Sequence, residues 1–267
     1  MKNINLIFVS ILSILIVVLV GGFVYYWFLS SLGKKEVVDP KIKEIISRGK
    51  ILVGTEAAYP PMEYFDETGN FVGFDIDLAK EIASDLGVGV DFKNLPWVEI
   101  FDSVMKGEVD MIISAIAITP ERLEALSFSD PYLNVGQVIV TKKDLVIQGV
   151  EDLQGKIIGV QKGTISEEEA KKRTDLSLVK SYANYSLVKE ALFRGEIEVI
   201  LIDYPAGIKM VAQDEELKIV GEPFTQEFYS VAVQKGQEVL LARINQTIRR
   251  LKQTGKLRAL EEKWLSE

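Results

Sequence analysis

Three short segments hold the residues best suited to grip a charged small molecule. Thr119-Pro-Glu-Arg122 reads as a helix start, with Thr119 as N-cap, Pro120 at the first helical position and Glu121 in the first turn. Arg122 would then lie beside a helix amino terminus, where its guanidinium and the free N–H groups both suit a carboxylate. A surface arginine paired with Glu121 or Glu124 fits the same spacing. Gly163-Thr-Ile-Ser166 offers a second anion seat through backbone N–H groups and the Thr164 hydroxyl, while Ser166 and Glu169 have the spacing of a capping box. An ordinary capped helix after a tight turn explains that segment equally well. Asp203 follows the apolar run 197–202 and precedes Pro205. It either caps the next helix or faces a cleft as a carboxylate for an ammonium group. Arg122 and Asp203 together would hold a zwitterion by both ends.

The elements that must position these residues are written twice in the chain. Lys106-Gly-Glu-Val-Asp-Met-Ile-Ile113 and Arg194-Gly-Glu-Ile-Glu-Val-Ile-Leu201 both read as a helix closed by a basic residue and a glycine, followed by a buried strand. The first copy belongs to a series of strand 51–54, helix through 86 stopped by Gly87, strand 88–92, helix 100–105 and strand 111–113. The second has strand 156–160, helices 166–172 and 186–193, and strand 197–202. Strand–helix alternation predicts an α/β fold with two mainly parallel sheets. The chain then returns through a strand at 228–233 and amphipathic helix over 239–264 with a break at Gly255. The predicted organisation is a linker over 34–43, a first lobe of 44–131 plus 231–267, a second lobe of 137–225, and a two-strand hinge at 132–136 and 226–230. Open sheets collect ligands at the carboxyl ends of their strands, so the crevice between the lobes is the expected site.

Composition narrows the chemistry. The chain of 267 residues contains neither cysteine nor histidine, which excludes disulfides, Ser-His and Cys-His catalytic pairs and the common zinc sites. No metal, cofactor or catalytic group is expected. Lys2 is the only charged side chain before Lys34, so the rest is more acidic than the whole chain's −8, which disfavours nucleic acid. Residues 6–29 carry no charge, and roughly 36 Å of helix at about 1.5 Å per residue exceeds a bilayer core of about 30 Å. The aromatic cluster 25–28 at its end suits a membrane interface. Residues 1–33 are therefore read as a transmembrane anchor in preference to a cleaved signal. Lys34, Lys35, Lys41 and Lys43 follow the run, and the positive-inside rule alone would place the body in the cytoplasm.

Four motifs in register, Leu52-Val-Gly-Thr-Glu-Ala-Ala-Tyr-Pro-Pro-Met-Glu63, Gly73-Phe-Asp-Ile-Asp-Leu78, Ile118-Thr-Pro-Glu-Arg122 with Phe128-Ser-Asp-Pro-Tyr132, and Gly159-Val-Gln-Lys-Gly-Thr164, resemble the family 3 extracellular solute-binding proteins, the polar amino-acid-binding components of ABC importers. The resemblance implies the two-lobed type II periplasmic-binding-protein fold and a monomer that binds an L-amino acid outside the membrane for an ABC permease. That places the body outside, against the charge rule. It also implies that Arg122 and Thr164 receive the α-carboxylate, Asp203 the α-ammonium, and Tyr59 and Trp97 the side chain, with Glu56, Ser114 and Gln161 as polar lining. Asp75 and Asp77 look like caps of the following helix. The chain departs from the family at Ala115 and Ala117, where hydroxyl side chains are usual; a side-chain donor is lost there although the backbone N–H can remain. The alternatives are an enzyme resembling cyclohexadienyl dehydratase, with Glu56 as proton donor, and a ligand-sensing receptor subunit.

Overall fold

The computed structural model describes residues 19–27 and 39–266. Residues 19–27 are helical with exposed side chains. The remainder of the apolar run 6–29 lies outside the described residues, and among the described residues no helix is long and apolar enough to cross a membrane. Lys41–Glu267 forms a compact unit of its own. Helix Pro40–Arg48 buries Ile42 and Ile45, so the last residues assigned to the linker are already helical.

Each repeat builds a five-stranded sheet. The first has the order Gly89–Asn94, Lys50–Thr55, Met111–Ile112, Ala232–Gln234, Leu126–Phe128; the second has Val179–Tyr182, Ile158–Gln161, Val199–Asp203, Gln137–Lys142, Leu217–Val220. In both, the first three strands are parallel and the last two join antiparallel. The sheets are thus mixed rather than mainly parallel. Helical crossovers return the chain to its starting edge and keep strands parallel. Ala232–Gln234 and Gln137–Lys142 instead arrive from the other half, entering at the edge where the parallel strands end, and must run the opposite way.

The duplicated helix ends have the same geometry. Helix Trp97–Met105 ends at Lys106 in right-handed conformation and Gly107 at φ 72°; helix Tyr185–Phe193 ends at Arg194 and Gly195 at φ 73°. Helix Phe74–Leu86 buries Phe74, Ile76, Leu78, Ala79, Ile82 and Ala83 and stops at left-handed Gly87. The return strand expected at 228–233 is two strands, Glu227–Tyr229 and Ala232–Gln234. Between them, Ser230 and Val231 leave the crossing: the Ser230 N–H donates to the Ile116 carbonyl, and the Ser129 N–H to that of Val231. Glu227–Tyr229 pairs antiparallel with Leu133–Val135, forming a two-stranded ribbon between the sheets. Gly136 allows the ribbon to close, because a Cβ there would stand 2.2 Å from the Thr225 carbonyl oxygen. Helices Glu238–Gln253 and Lys256–Trp264, separated by left-handed Gly255, return to the first half. Leu240, Ile244, Ile248 and Leu251 form the buried stripe, and Arg250 ties it to Glu81 and Asp85.

Candidate functional site

The ten residues singled out from sequence, Glu56, Tyr59, Trp97, Ser114, Ala115, Ala117, Arg122, Gln161, Thr164 and Asp203, all line one cleft. Both sheets contribute at their parallel strands' carboxyl ends, through Lys50–Thr55, Met111–Ile112, Ile158–Gln161 and Val199–Asp203.

Arg122 stands at one end of the cleft. Thr119 caps its short helix by accepting the Arg122 N–H at 3.2 Å. The guanidinium lies 4.9 Å from the Phe101 ring centroid and 5.4 Å from that of Trp97, and donates to the Ala117 carbonyl at 2.8 Å and the Gly163 carbonyl at 3.5 Å. Among the described residues no carboxylate lies within ion-pair distance of it, so the surface pairing with Glu121 or Glu124 does not form. Burial lowers its pKa from the usual arginine value, opposed by the more distant Glu168 and Asp203. A bare, half-desolvated guanidinium over aromatic faces is poised for a planar anion.

The neighbouring anion seat differs from the sequence reading. Thr164, not Ser166, is the N-cap of helix Ile165–Arg173. Its hydroxyl donates to the Gln161 carbonyl at 2.8 Å. The Gly163 N–H is taken by the Glu167 carboxylate at 2.7 Å. Ser166 is buried and bonds Gln137 Oε1 at 2.6 Å and the Tyr185 hydroxyl at 2.8 Å, so the capping box with Glu169 is absent. The Ala117 N–H is without an acceptor among the described residues and belongs to the residue whose carbonyl accepts from Arg122, whereas the Ala115 N–H is engaged by Asp75 Oδ2 at 2.6 Å. Of the two alanines, only Ala117 keeps a free backbone donor.

Asp203 stands at the position preceding helix Tyr204–Ala212 but makes no side-chain cap. Its carboxylate accepts from the hydroxyls of Tyr59, at 2.7 Å, and Tyr229, and from Gln137 Nε2. Burial raises its pKa, while those three donors and the Arg122 field act in the opposite direction. Tyr59 packs on Tyr185 at 5.3 Å between centroids. At a third corner, Glu56 Oε2 accepts from Gln161 Nε2 at 2.7 Å and Oε1 from the Trp97 N–H at 3.3 Å. Burial raises the Glu56 pKa, tempered by Gln161 and Trp97. Trp97 Nε1 donates to the Gly163 carbonyl at 3.0 Å. The bonds Gln161–Glu56, Trp97–Gly163 and Tyr59–Asp203 each join one half of the fold to the other.

Asp75 and Asp77 are not caps, since Gly73 begins their helix without a side-chain cap bond. Asp77 accepts from Lys263 Nζ at 2.6 Å and Trp264 Nε1 at 2.9 Å and anchors the C-terminal helix. Asp75 is fully buried under the cleft floor, holding the Ala115 N–H and the Tyr132 hydroxyl. That bond fixes Ala115 at φ 50°, a left-handed conformation unusual for alanine. Beside Asp75, Glu63 Oε1 accepts from the Ser114 hydroxyl at 2.7 Å, and that Ser114 oxygen receives the Glu56 N–H at 2.9 Å. Among the described residues no other side chain or backbone N–H donates to the buried Asp75 Oδ1 and Glu63 Oε2, which leaves the two carboxyls to each other. Burial and Asp75 push the Glu63 pKa well up, which makes it the neutral member of the pair.

Gln137, Glu227 and Tyr229 also line the cleft and were missed from sequence. Their trace there is faint: a glutamine opening the apolar strand Gln137–Lys142, and Glu227 and Tyr229 alternating on the crossing strand.

Residues 51–267 match the family model for bacterial extracellular solute-binding proteins, family 3. The L-cystine-binding protein TcyJ of Escherichia coli (strain K12) is 34% identical over 227 residues, covering 84% of each chain. The crystal structure of a mutant of ArgBP from T. maritima is 40% identical with a TM-score of 0.80, covering 85% of this chain and 100% of that one. An ancestral arginine-binding protein bound to glutamine is 42% identical with a TM-score of 0.78, covering 82% of this chain and 99% of that one. These relatives are named as binding proteins, not enzymes. The chain belongs to the bacterial extracellular solute-binding proteins, family 3.

Proposed function

We infer that the chain binds an L-amino acid with a cationic or amide side chain outside the cytoplasmic membrane and delivers it to an ABC permease. The observation that carries this reading is the sharing of one cleft by the unpaired Arg122 guanidinium and the Asp203 carboxylate, with the Glu56 carboxyl held in the same cleft by Gln161 and Trp97. Arg122 takes the α-carboxylate with the backbone N–H groups of Ala117 and Thr164, since the Thr164 hydroxyl proton is held by the Gln161 carbonyl, and Asp203 takes the α-ammonium. Tyr59 and Trp97 flank the side chain, whose polar end meets Glu56, Gln161 and Ser114. An acidic side chain would be repelled by Glu56, while a guanidinium would gain a charge-assisted bond. Relatives named for binding arginine or glutamine are compatible with that corner.

The lobes of the working protein are 44–131 with 231–267 and 137–225, and bending at 132–136 and 226–230 opens the cleft. Residues 1–33 anchor the chain, as a monomer, at the extracytoplasmic face of the membrane. A thermal-shift screen of the soluble part against the twenty common amino acids tests the ligand class. A ligand at 100 times its dissociation constant stabilises by about 2.7 kcal/mol. Arginine, lysine or glutamine should give the largest shift; no shift with any amino acid would remove the reading.

A further inference from the structure

Glu227 has no role in the site as read from sequence, yet it is buried on the crossing strand and lines the cleft. Its Oε1 accepts from the Thr225 hydroxyl at 2.8 Å and from Gln137 Nε2 at 3.0 Å. The same Nε2 donates to Asp203 Oδ1. Ser166 donates to the Gln137 oxygen at 2.6 Å, which fixes the amide so that its nitrogen faces both acids. Two carboxylates from separate strands therefore converge on one nitrogen. Among the described residues neither has a lysine or arginine within ion-pair distance. Asp203 is held by three donors, whereas Glu227 Oε2 accepts from none of the described residues.

The titratable groups around Glu227 are Asp203, Glu169, Arg122, Tyr185 and Tyr229. Glu169 is occupied by Lys172 and Arg173, and the paired strand Leu133–Val135 brings no titratable side chain. Adjacent carboxylates in a buried site cannot both ionise without a cation between them. Burial and then Asp203 push Glu227 up to about 7, against the pull of Thr225 and Gln137.

We propose that Glu227 is a second carboxylate for the α-ammonium of the bound amino acid, and that it releases its proton when that ammonium settles against its open Oε2, beside Asp203. The O–H bond of Glu227 breaks, its proton passes to solvent buffer, and the carboxylate accepts a hydrogen bond from the arriving ammonium. The proposal rests on amino-acid binding in this cleft and assigns a specificity residue to it: a ligand lacking the ammonium leaves the proton in place. Affinity then rises by up to about tenfold per pH unit while Glu227 is protonated in the free protein, and levels off once it is ionised there.

The test is titration calorimetry of the protein with the amino acid that gives the largest shift in the twenty-member screen. At about pH 6, the heat measured in buffers of different ionisation enthalpy should report release of close to one proton, and the dissociation constant should fall as pH rises to about 8. Glu227→Gln should abolish the buffer dependence and flatten the pH profile, while Glu56→Gln should retain both. Release that persists in Glu227→Gln overturns the assignment to Glu227. Should that variant not fold, wild-type binding without buffer dependence and with a constant affinity over that range overturns the proposal alone. If no amino acid binds, the functional reading fails first and this one with it.

Discussion

Replacing Arg122 by alanine separates binding from folding. In the folded protein the guanidinium has two carbonyl acceptors, two aromatic faces and no carboxylate among the described residues. Its contribution to folding is therefore small: the aromatic contacts are worth about 0.5 to 2 kcal/mol, and relief of an uncompensated buried cation offsets part of that. Its contribution to binding is large, because a ligand carboxylate brings the counter-charge the site lacks. Truncating one member of a buried charge pair costs about 2 to 5 kcal/mol, or roughly thirty- to four-thousand-fold in dissociation constant at about 1.4 kcal/mol per decade. Arg122→Ala should weaken binding by that factor while shifting the unfolding free energy of the ligand-free protein by no more than about 1 kcal/mol. Arg122→Lys keeps the charge but loses the two-pronged donor and should recover only part of the affinity. Calorimetry and urea denaturation of the three proteins read both quantities. Binding within about threefold of wild type in Arg122→Ala, a change below about 0.7 kcal/mol, would refute the carboxylate assignment; a matching loss of stability would show Arg122 to be structural.

Glu56→Gln should weaken arginine binding about fivefold and glutamine binding much less, because a charge-assisted bond exceeds a neutral one by roughly 1 kcal/mol; equal losses in competition calorimetry would remove Glu56 from the side-chain site. Burial pushes Asp75 up to about 7 beside the neutral Glu63. Its folded value lies above its unfolded one, so the protonated group's stabilisation is complete below the unfolded value and is lost as pH rises through about 7. Relative to Asp75→Asn, wild type should accordingly lose stability as pH rises from about 5 to 8, and parallel urea-denaturation curves across that range would contradict the buried pair. Amino-acid saturation should lower the radius of gyration in solution scattering as the halves close about 132–136 and 226–230, and an unchanged radius would argue against hinge bending.

Much of the molecule is local in origin and could be read from the chain alone. Thr119 and Pro120 start the helix that carries Arg122, and Gly87, Gly107, Gly195 and Gly255 end or separate helices through left-handed conformations that a neighbouring apolar stripe makes predictable. Arg122, Thr164 and Asp203 follow from caps and strand ends visible in sequence, whereas Glu56, Tyr59, Trp97, Ser114, Ala115, Ala117 and Gln161 were implied by the family resemblance alone; all ten line one cleft. What tertiary structure alone decided is how polar side chains partner across distant segments. Asp75 resembles a helix cap until folding brings Ala115 and Tyr132 onto it, and Ser166 resembles one until Gln137 and Tyr185 claim it. Gln137 meets Asp203 as its neighbour in the second sheet, Tyr229 bonds Asp203 and Glu227 bonds Gln137 because two strands cross between the sheets, and that crossing also makes the sheets mixed. Periodicity reports which face of an element is buried; a hydrogen bond between residues 90 positions apart, such as that between Gln137 and Glu227, depends on how the faces meet.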